Sequence, residues 1–166
     1  ETRNFDGTVY FIFQPAEEGG GGGRVMIEDG LFEQFPVETV WGMHNWPGLE
    51  VGKMAVMPGP MMAGTATFDA IIHGKGGHGA MPHETLDPIV IASEVVGALQ
   101  SITSRNKHPV DSLVVSVTQI HAGDAYNVIP PSVVLRGTVR SYSEEVMALA
   151  ERRMRTLIEG IPAAHG

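Results

Sequence analysis

Two adjacent carboxylates, Glu17 and Glu18, stand in the stretch Phe13-Gln14-Pro15-Ala16-Glu17-Glu18-Gly19, ahead of five consecutive glycines from Gly19 to Gly23. Neighbouring side chains on extended backbone point in opposite directions. One carboxylate can then hold a cation while the other meets a water molecule. That division suits metal-assisted hydrolysis, in which an ion acidifies water and a free carboxylate takes its proton. Glu18 is read as the metal ligand and Glu17 as the group that moves the proton. A solvated acidic turn at a helix N-terminus fits the same two residues, because negative charge is favoured there anyway.

The elements around the pair explain how it would be positioned. Thr8 to Phe13 is apolar on both faces, which predicts a strand buried inside a parallel sheet. Pro15 cannot donate to a ladder, so the strand should stop near Gln14. Ligands of open α/β sheets bind off the carboxyl ends of strands, where Glu17 and Glu18 would lie. Arg24 to Glu28 reads as a short helix with Gly30 just past its end. Val37 to Met43 reads as a second strand, and strand, helix, strand implies a right-handed crossover with parallel neighbours. His44 follows directly, so it could meet Glu17 and Glu18 on one sheet edge although it lies 26 residues beyond Glu18. Imidazole with carboxylate suits Zn²⁺ or a similar ion, and His44 is the second candidate ligand. A hydrogen-bonded loop histidine is the ordinary alternative. Arg24-Val25 follows the glycines where a phosphate loop needs Lys-Ser or Lys-Thr, so a nucleotide is set aside. The glycines suit a flexible linker or, the preferred reading, a tight loop passing close to a bound ion or substrate.

Composition narrows the classes. The 166 residues allow one domain or two small ones, and 43% apolar content is enough for a core. A net charge of −8 without basic clusters argues against nucleic acid. The chain has no cysteine, hence neither disulfides nor thiolate metal sites. No apolar run reaches the roughly 18 residues of a membrane span. The start, Glu1-Thr2-Arg3-Asn4, does not resemble a secretory leader, and a cytoplasmic protein is expected. It also lacks an initiator Met, so residues upstream are expected to be missing.

Val51 to Val56 reads as a further strand. Met57 to Gly64, with two prolines and two glycines, reads as a domain boundary, its methionines filling gaps at the seam. The expected domains are residues 1–63 and 64–166. In the second, Thr65 to Ile72 alternates as a half-buried strand, with His73 on its polar side. A glycine-rich loop, Gly74 to His83, carries His78 and His83. Asp87 caps the next helix with Pro88 at its first position, and Ile91, Val95, Ala98, Leu99 and Ile102 form its apolar stripe. Ser112 to Ile120 and Ser132 to Arg140 alternate as strands around a turn-rich loop, His121 to Pro131. Ser141 or Ser143 caps a last helix, which Gly160 and Pro162 should end. Strand, helix, strand, strand, helix is a ferredoxin-like layer lacking its last strand, so a C-terminal truncation is expected and one sheet edge should be unpaired.

Taken in order, Gln14-Pro15-Ala16-Glu17-Glu18-Gly19-Gly20, Gly42-Met43-His44-Asn45-Trp46-Pro47, Gly74-Lys75-Gly76-Gly77-His78, Met81-Pro82-His83, Asn127-Val128-Ile129-Pro130 and Arg136-Gly137-Thr138-Val139-Arg140 resemble the motifs of one family. It is the metal-dependent N-acyl-amino-acid amidohydrolases, which include hippurate hydrolases, bacterial aminoacylases and plant indoleacetyl-amino-acid hydrolases. The resemblance spans essentially the whole chain. It implies that Glu17 is the general base, Glu18 and His44 are metal ligands, His78 stabilises the tetrahedral intermediate, and Asn127 binds substrate. It implies a fold of α/β plus α+β: a catalytic α/β domain with parallel strands, then an α+β lid through which the enzyme forms a homodimer. It also implies two divalent ions of the Zn, Mn, Co or Ni type and an N-acyl amino acid substrate. The family's upstream His and Cys-Gly-His-Asp motif and its C-terminal His ligand have no counterpart here. The metal shell of this chain is therefore expected to be incomplete.

Overall fold

The computed structural model describes residues 4–166; Glu1 to Arg3, the start read as no leader, lie outside the described residues. The chain forms two compact units, Glu1–Met54 and Ala55–Gly166. Residues 55–63 carry no helix or strand and belong with the second unit.

Helix α1 (Gly22–Glu28) and one turn of helix, α2 (Leu31–Gln34), are the regular elements of the first unit among the described residues. Gly30 adopts a left-handed φ of 86° between them, as its place after the helix predicts. The strands expected at Thr8 to Phe13, Val37 to Met43 and Val51 to Val56 are not formed, and with them goes the parallel α/β arrangement. The reason is the partner. An extended segment becomes a strand only when a neighbouring backbone pairs with it, and a run apolar on both faces is buried only when layers cover both. Here residues 6–12 and 36–41 flank a cavity of about 750 Å³ instead of one another. Phe11, Phe13 and Trp41 are each more than 80% exposed. One edge-on contact between the Tyr10 and Phe35 rings, 5.4 Å between centroids, ties the two segments together.

The second unit follows its sequence pattern closely. Strands β1 (Gly64–His73), β3 (Leu113–His121) and β5 (Ser132–Ser141) make an antiparallel sheet in the order β1-β5-β3. The parallel pair β1 and β3 is joined through helix α3 (Pro88–Ser101), and β5 lies between them. Helix α4 (Glu144–His165) packs beside α3 on the same side. Alternation places Ala70 and Ile72, Leu113 and Val115, and Val133, Leu135 and Val139 in the core against Ile91, Val95, Leu99, Ala150 and Met154. The opposite face presents Asp69 and Arg136, paired across β1 and β5.

Local chemistry starts the two long helices, α3 and α4, where expected. The Asp87 carboxylate accepts from the Ile89 amide at 2.9 Å, and Ser143 caps α4 by accepting from Val146. Ser141 does a different job: its buried hydroxyl donates to the Ser112 carbonyl and accepts from the Ser143 amide. Helix α3 runs on into a π turn at Ile102–Asn106. One boundary differs from expectation. Gly160 and Pro162 do not end α4, which continues to His165. Pro162 removes one ladder bond in the last turns, but Ile161 packs on the core and His165 Nε2 lies 3.1 Å from the Glu94 carboxylate of α3. These contacts hold the final turn in place.

Candidate active site

Glu17 and Glu18 sit on an exposed turn, residues 17–20, directly before α1. The glycines that follow are needed because the chain folds back on itself. The Gly20 amide donates to the Ala16 carbonyl at 3.0 Å. A Cβ at Gly20 would overlap the Ala16 side chain, one at Gly22 would overlap the Pro15 carbonyl, and one at Gly23 would press on the Gln14 amide. The close approach predicted for this loop is thus to the chain's own Gln14 to Ala16 stretch. Ala16 itself has φ 50°, a left-handed conformation that costs an L-residue on the order of 1–2 kcal/mol. The close approach of Gly20, Gly22 and Gly23 to Gln14 to Ala16 accompanies this conformation.

His44 lies in an extended, exposed segment outside any regular element. The stretches that lead to the carboxylate pair and to His44 border the same 750 Å³ cavity, through residues 6–12 and 36–41. Among the described residues none of Glu17, Glu18 and His44 takes part in an ion pair, and no group of three or more His, Cys, Asp or Glu is gathered where it could hold a metal. Carboxylate oxygen and imidazole nitrogen are the right donor types for a divalent ion. Their number is short, because a catalytic zinc takes about three protein ligands.

The second unit brings the backbones around His78 and Asn127 together, although 49 residues separate the two. Two short strands, β2 (Gly77–His78) and β4 (Val128–Ile129), form a ladder in which His78 pairs with Val128. The Gly79 amide donates to the Asn127 carbonyl at 2.7 Å. Directly opposed residues share a face, with Cβ atoms about 4.5–5.5 Å apart, so the His78 and Val128 side chains are neighbours. A surface cleft of about 350 Å³, lined by Ile89, residues 122–126 and Val128, runs beside the ladder.

The glycines of this loop again permit close backbone approach. A Cβ at Gly74 would overlap the Leu86 carbonyl, and one at Gly76 would come within 2.7 Å of the Ile129 carbonyl. Lys75 and Leu86 exchange backbone hydrogen bonds of 2.8 and 3.0 Å, and the Gly74 amide donates to the Pro131 carbonyl. His78 is therefore carried by a loop pinned on two sides. Periodicity could not reveal this ladder, since two residues make no pattern. The available signal was the glycine spacing, which marks where another backbone passes.

Residues 1–165 match peptidase family M20/M25/M40. The N-acetylcysteine deacetylase of Bacillus subtilis is 43% identical over 160 residues, which cover 96% of this chain and 42% of that protein. The hippurate hydrolase of Campylobacter jejuni is 42% identical over 164 residues, covering 99% of this chain and 43% of its own. A solved structure described as a dinuclear metal binding peptidase from the M20 family, the YXEP protein of Bacillus subtilis, superposes with a TM-score of 0.69 at 36% identity, over 93% of this chain and 37% of that one. A further structure, from methicillin-resistant Staphylococcus aureus, reaches a TM-score of 0.85 at 36% identity, over 92% and 40% respectively. The chain thus spans about two fifths of the length of these relatives. It belongs to peptidase family M20/M25/M40.

Proposed function

We propose that this chain is part of a metal-dependent amidohydrolase that cleaves the amide bond of N-acyl amino acids. The observation that carries the reading is the acidic doublet on a strained, glycine-backed turn in a chain of this family. Hydrolase names among the relatives, including a hippurate hydrolase and an N-acyl-L-amino acid amidohydrolase, support the substrate class. Glu18 and His44 would hold a divalent ion of the Zn, Mn, Co or Ni type, one of two. Such an ion, when bound, supplies acidified water and a polarised carbonyl. Glu17 takes the proton from the attacking water and returns it to the leaving nitrogen. His78 donates a hydrogen bond to the oxygen that gains negative charge, and Asn127 orients the substrate beside it. A cytoplasmic location belongs to this proposal; among the described residues no helix is long and apolar enough to cross a membrane.

Hydrolysis of hippurate is the test. A chain completed to the length of its relatives should release benzoate when loaded with metal. The 166 residues alone should bind metal weakly and release none, because they supply two ligands where about three are needed. Benzoate release by the 166-residue chain would overturn the ligand assignment.

A second reading concerns residues 64–166 as a lid and dimerisation module. Strands β1 and β3 form the two edges of the main sheet, and Ile71, Val114 and Ile120 are each about half exposed on them. Unpaired edges with apolar side chains favour pairing with a second chain. Sedimentation should show a homodimer; a monomer at high concentration counts against it.

A further inference from the structure

We infer that the backbone amide of Ala80 is a positioning group for His78, fixing the tautomer in which Nε2 carries the ring proton. This rests on the proposed role of His78 as hydrogen-bond donor, and adds the means by which the ring is made a donor at the correct nitrogen. The Ala80 amide donates to His78 Nδ1 at 3.1 Å. An amide N–H is a donor only, so the ring atom that meets it must present a lone pair. A neutral imidazole with its lone pair on Nδ1 bears its proton on Nε2. Among the described residues Nε2 makes no hydrogen bond, and the side chain is exposed. The ring therefore offers its N–H outward.

The arrangement does not depend on this bond alone. The Met81 amide donates to the His78 carbonyl at 2.8 Å, closing the turn that carries Ala80. On the other side the pairing of His78 with Val128 and the bond from Gly79 to Asn127 hold the backbone. Ala80 is thus pinned relative to the ring by contacts that do not involve the ring. Glycine at 79 allows the turn to lie against Asn127, since a Cβ there would come within 3.2 Å of the Asn127 carbonyl. A donor preset in this way needs no reorganisation when charge develops on the substrate oxygen.

Nitrogen NMR of the ¹⁵N-labelled 166-residue chain tests this directly, at about pH 9, well above the ordinary imidazole range. His78→Gln identifies the His78 signals. The expected result is an unprotonated Nδ1, a protonated Nε2 and a through-hydrogen-bond coupling between the Ala80 amide nitrogen and Nδ1. Ala80→Gly keeps the amide and should keep the pattern. Ala80→Pro removes the N–H and should move both ring nitrogens towards averaged values. A protonated Nδ1, or no coupling to Ala80, in the unsubstituted chain overturns the inference whether or not the proline variant folds. So does an unchanged pattern in a folded Ala80→Pro. If tautomer and coupling are found but His78→Ala leaves turnover of the completed enzyme intact, the catalytic role falls and the tautomer lock stands.

Discussion

Replacing Glu17 by Ala in the completed enzyme should lower kcat by about 10²–10⁴-fold while metal content stays near that of the unsubstituted protein; removal of a positioned general base has that size of effect. The two halves of the expectation separate the roles of two neighbouring residues. Glu18 remains in the variant, so the ion should remain. Only the group that moves the proton is gone. Glu17→Gln preserves the shape of the side chain and should be nearly as inactive, because an amide cannot take a proton from water. Glu17→Asp keeps the carboxylate but draws it back by one methylene, and should recover part of the rate. The turn that carries Glu17 is held by Ala16 at φ 50° and by the glycines packed on Gln14 to Ala16. A substitution at the exposed position 17 should therefore leave the fold alone. Metal analysis beside steady-state kinetics checks all three variants. Turnover unchanged in Glu17→Ala would remove Glu17 as the base. Loss of metal in parallel with activity would make it a ligand instead.

Replacing His78 by Ala should lower kcat by about 10²–10³-fold with KM changed little, the effect of deleting one donor to a developing oxyanion. The reason for the split is that the hydrogen bond strengthens only as charge builds on the substrate oxygen. A residue that merely bound the ground state would raise KM and leave kcat alone. His78→Gln retains an N–H donor and should recover part of the loss. Position 78 also lies in the β2–β4 ladder, whose bonds are made by backbone atoms. Truncating the ring leaves those bonds in place, so the thermal transition should shift little. Steady-state kinetics with a hippurate-like substrate checks the prediction. A raised KM at constant kcat would reassign His78 to substrate binding.

The second unit was legible in the sequence because its signals are local. Alternation in Thr65 to Ile72 and Ser132 to Arg140 marked two strands that each bury one face, Ala70 and Ile72 on β1 and Val133, Leu135 and Val139 on β5. Asp87 before Pro88 marked the start of α3, and the Asp87 side chain makes the capping bond. The end of α4 was not legible, because what carries it past Gly160 and Pro162 is tertiary: Ile161 on the core and His165 against Glu94 on another helix. The first unit was misread for a related reason. Thr8 to Phe13 has the composition of a buried strand, but ladder formation depends on a neighbouring backbone, and among the described residues no strand pairs with it. Residue type and spacing pointed to Glu17, Glu18 and His44, and the family resemblance to His78 and Asn127. Their grouping was only partly readable. The approach of the His78 loop to the backbone at Asn127 and Val128 depends on a ladder of two residues a strand, below the length at which a period can be seen. That Gly20, Gly22 and Gly23 serve close packing on Gln14 to Ala16 could not be separated from a linker without coordinates.

Locating the ion is the most direct measurement. An anomalous-difference map from crystals of the completed enzyme loaded with Zn²⁺ should place a peak about 2.0–2.2 Å from both a Glu18 carboxylate oxygen and a His44 ring nitrogen, the ordinary ligand distances. Two peaks are expected, with the Glu17 carboxylate beside them but outside ligand distance of either. A map in which no peak contacts both Glu18 and His44 would contradict the assignment of these two residues as a shared metal site.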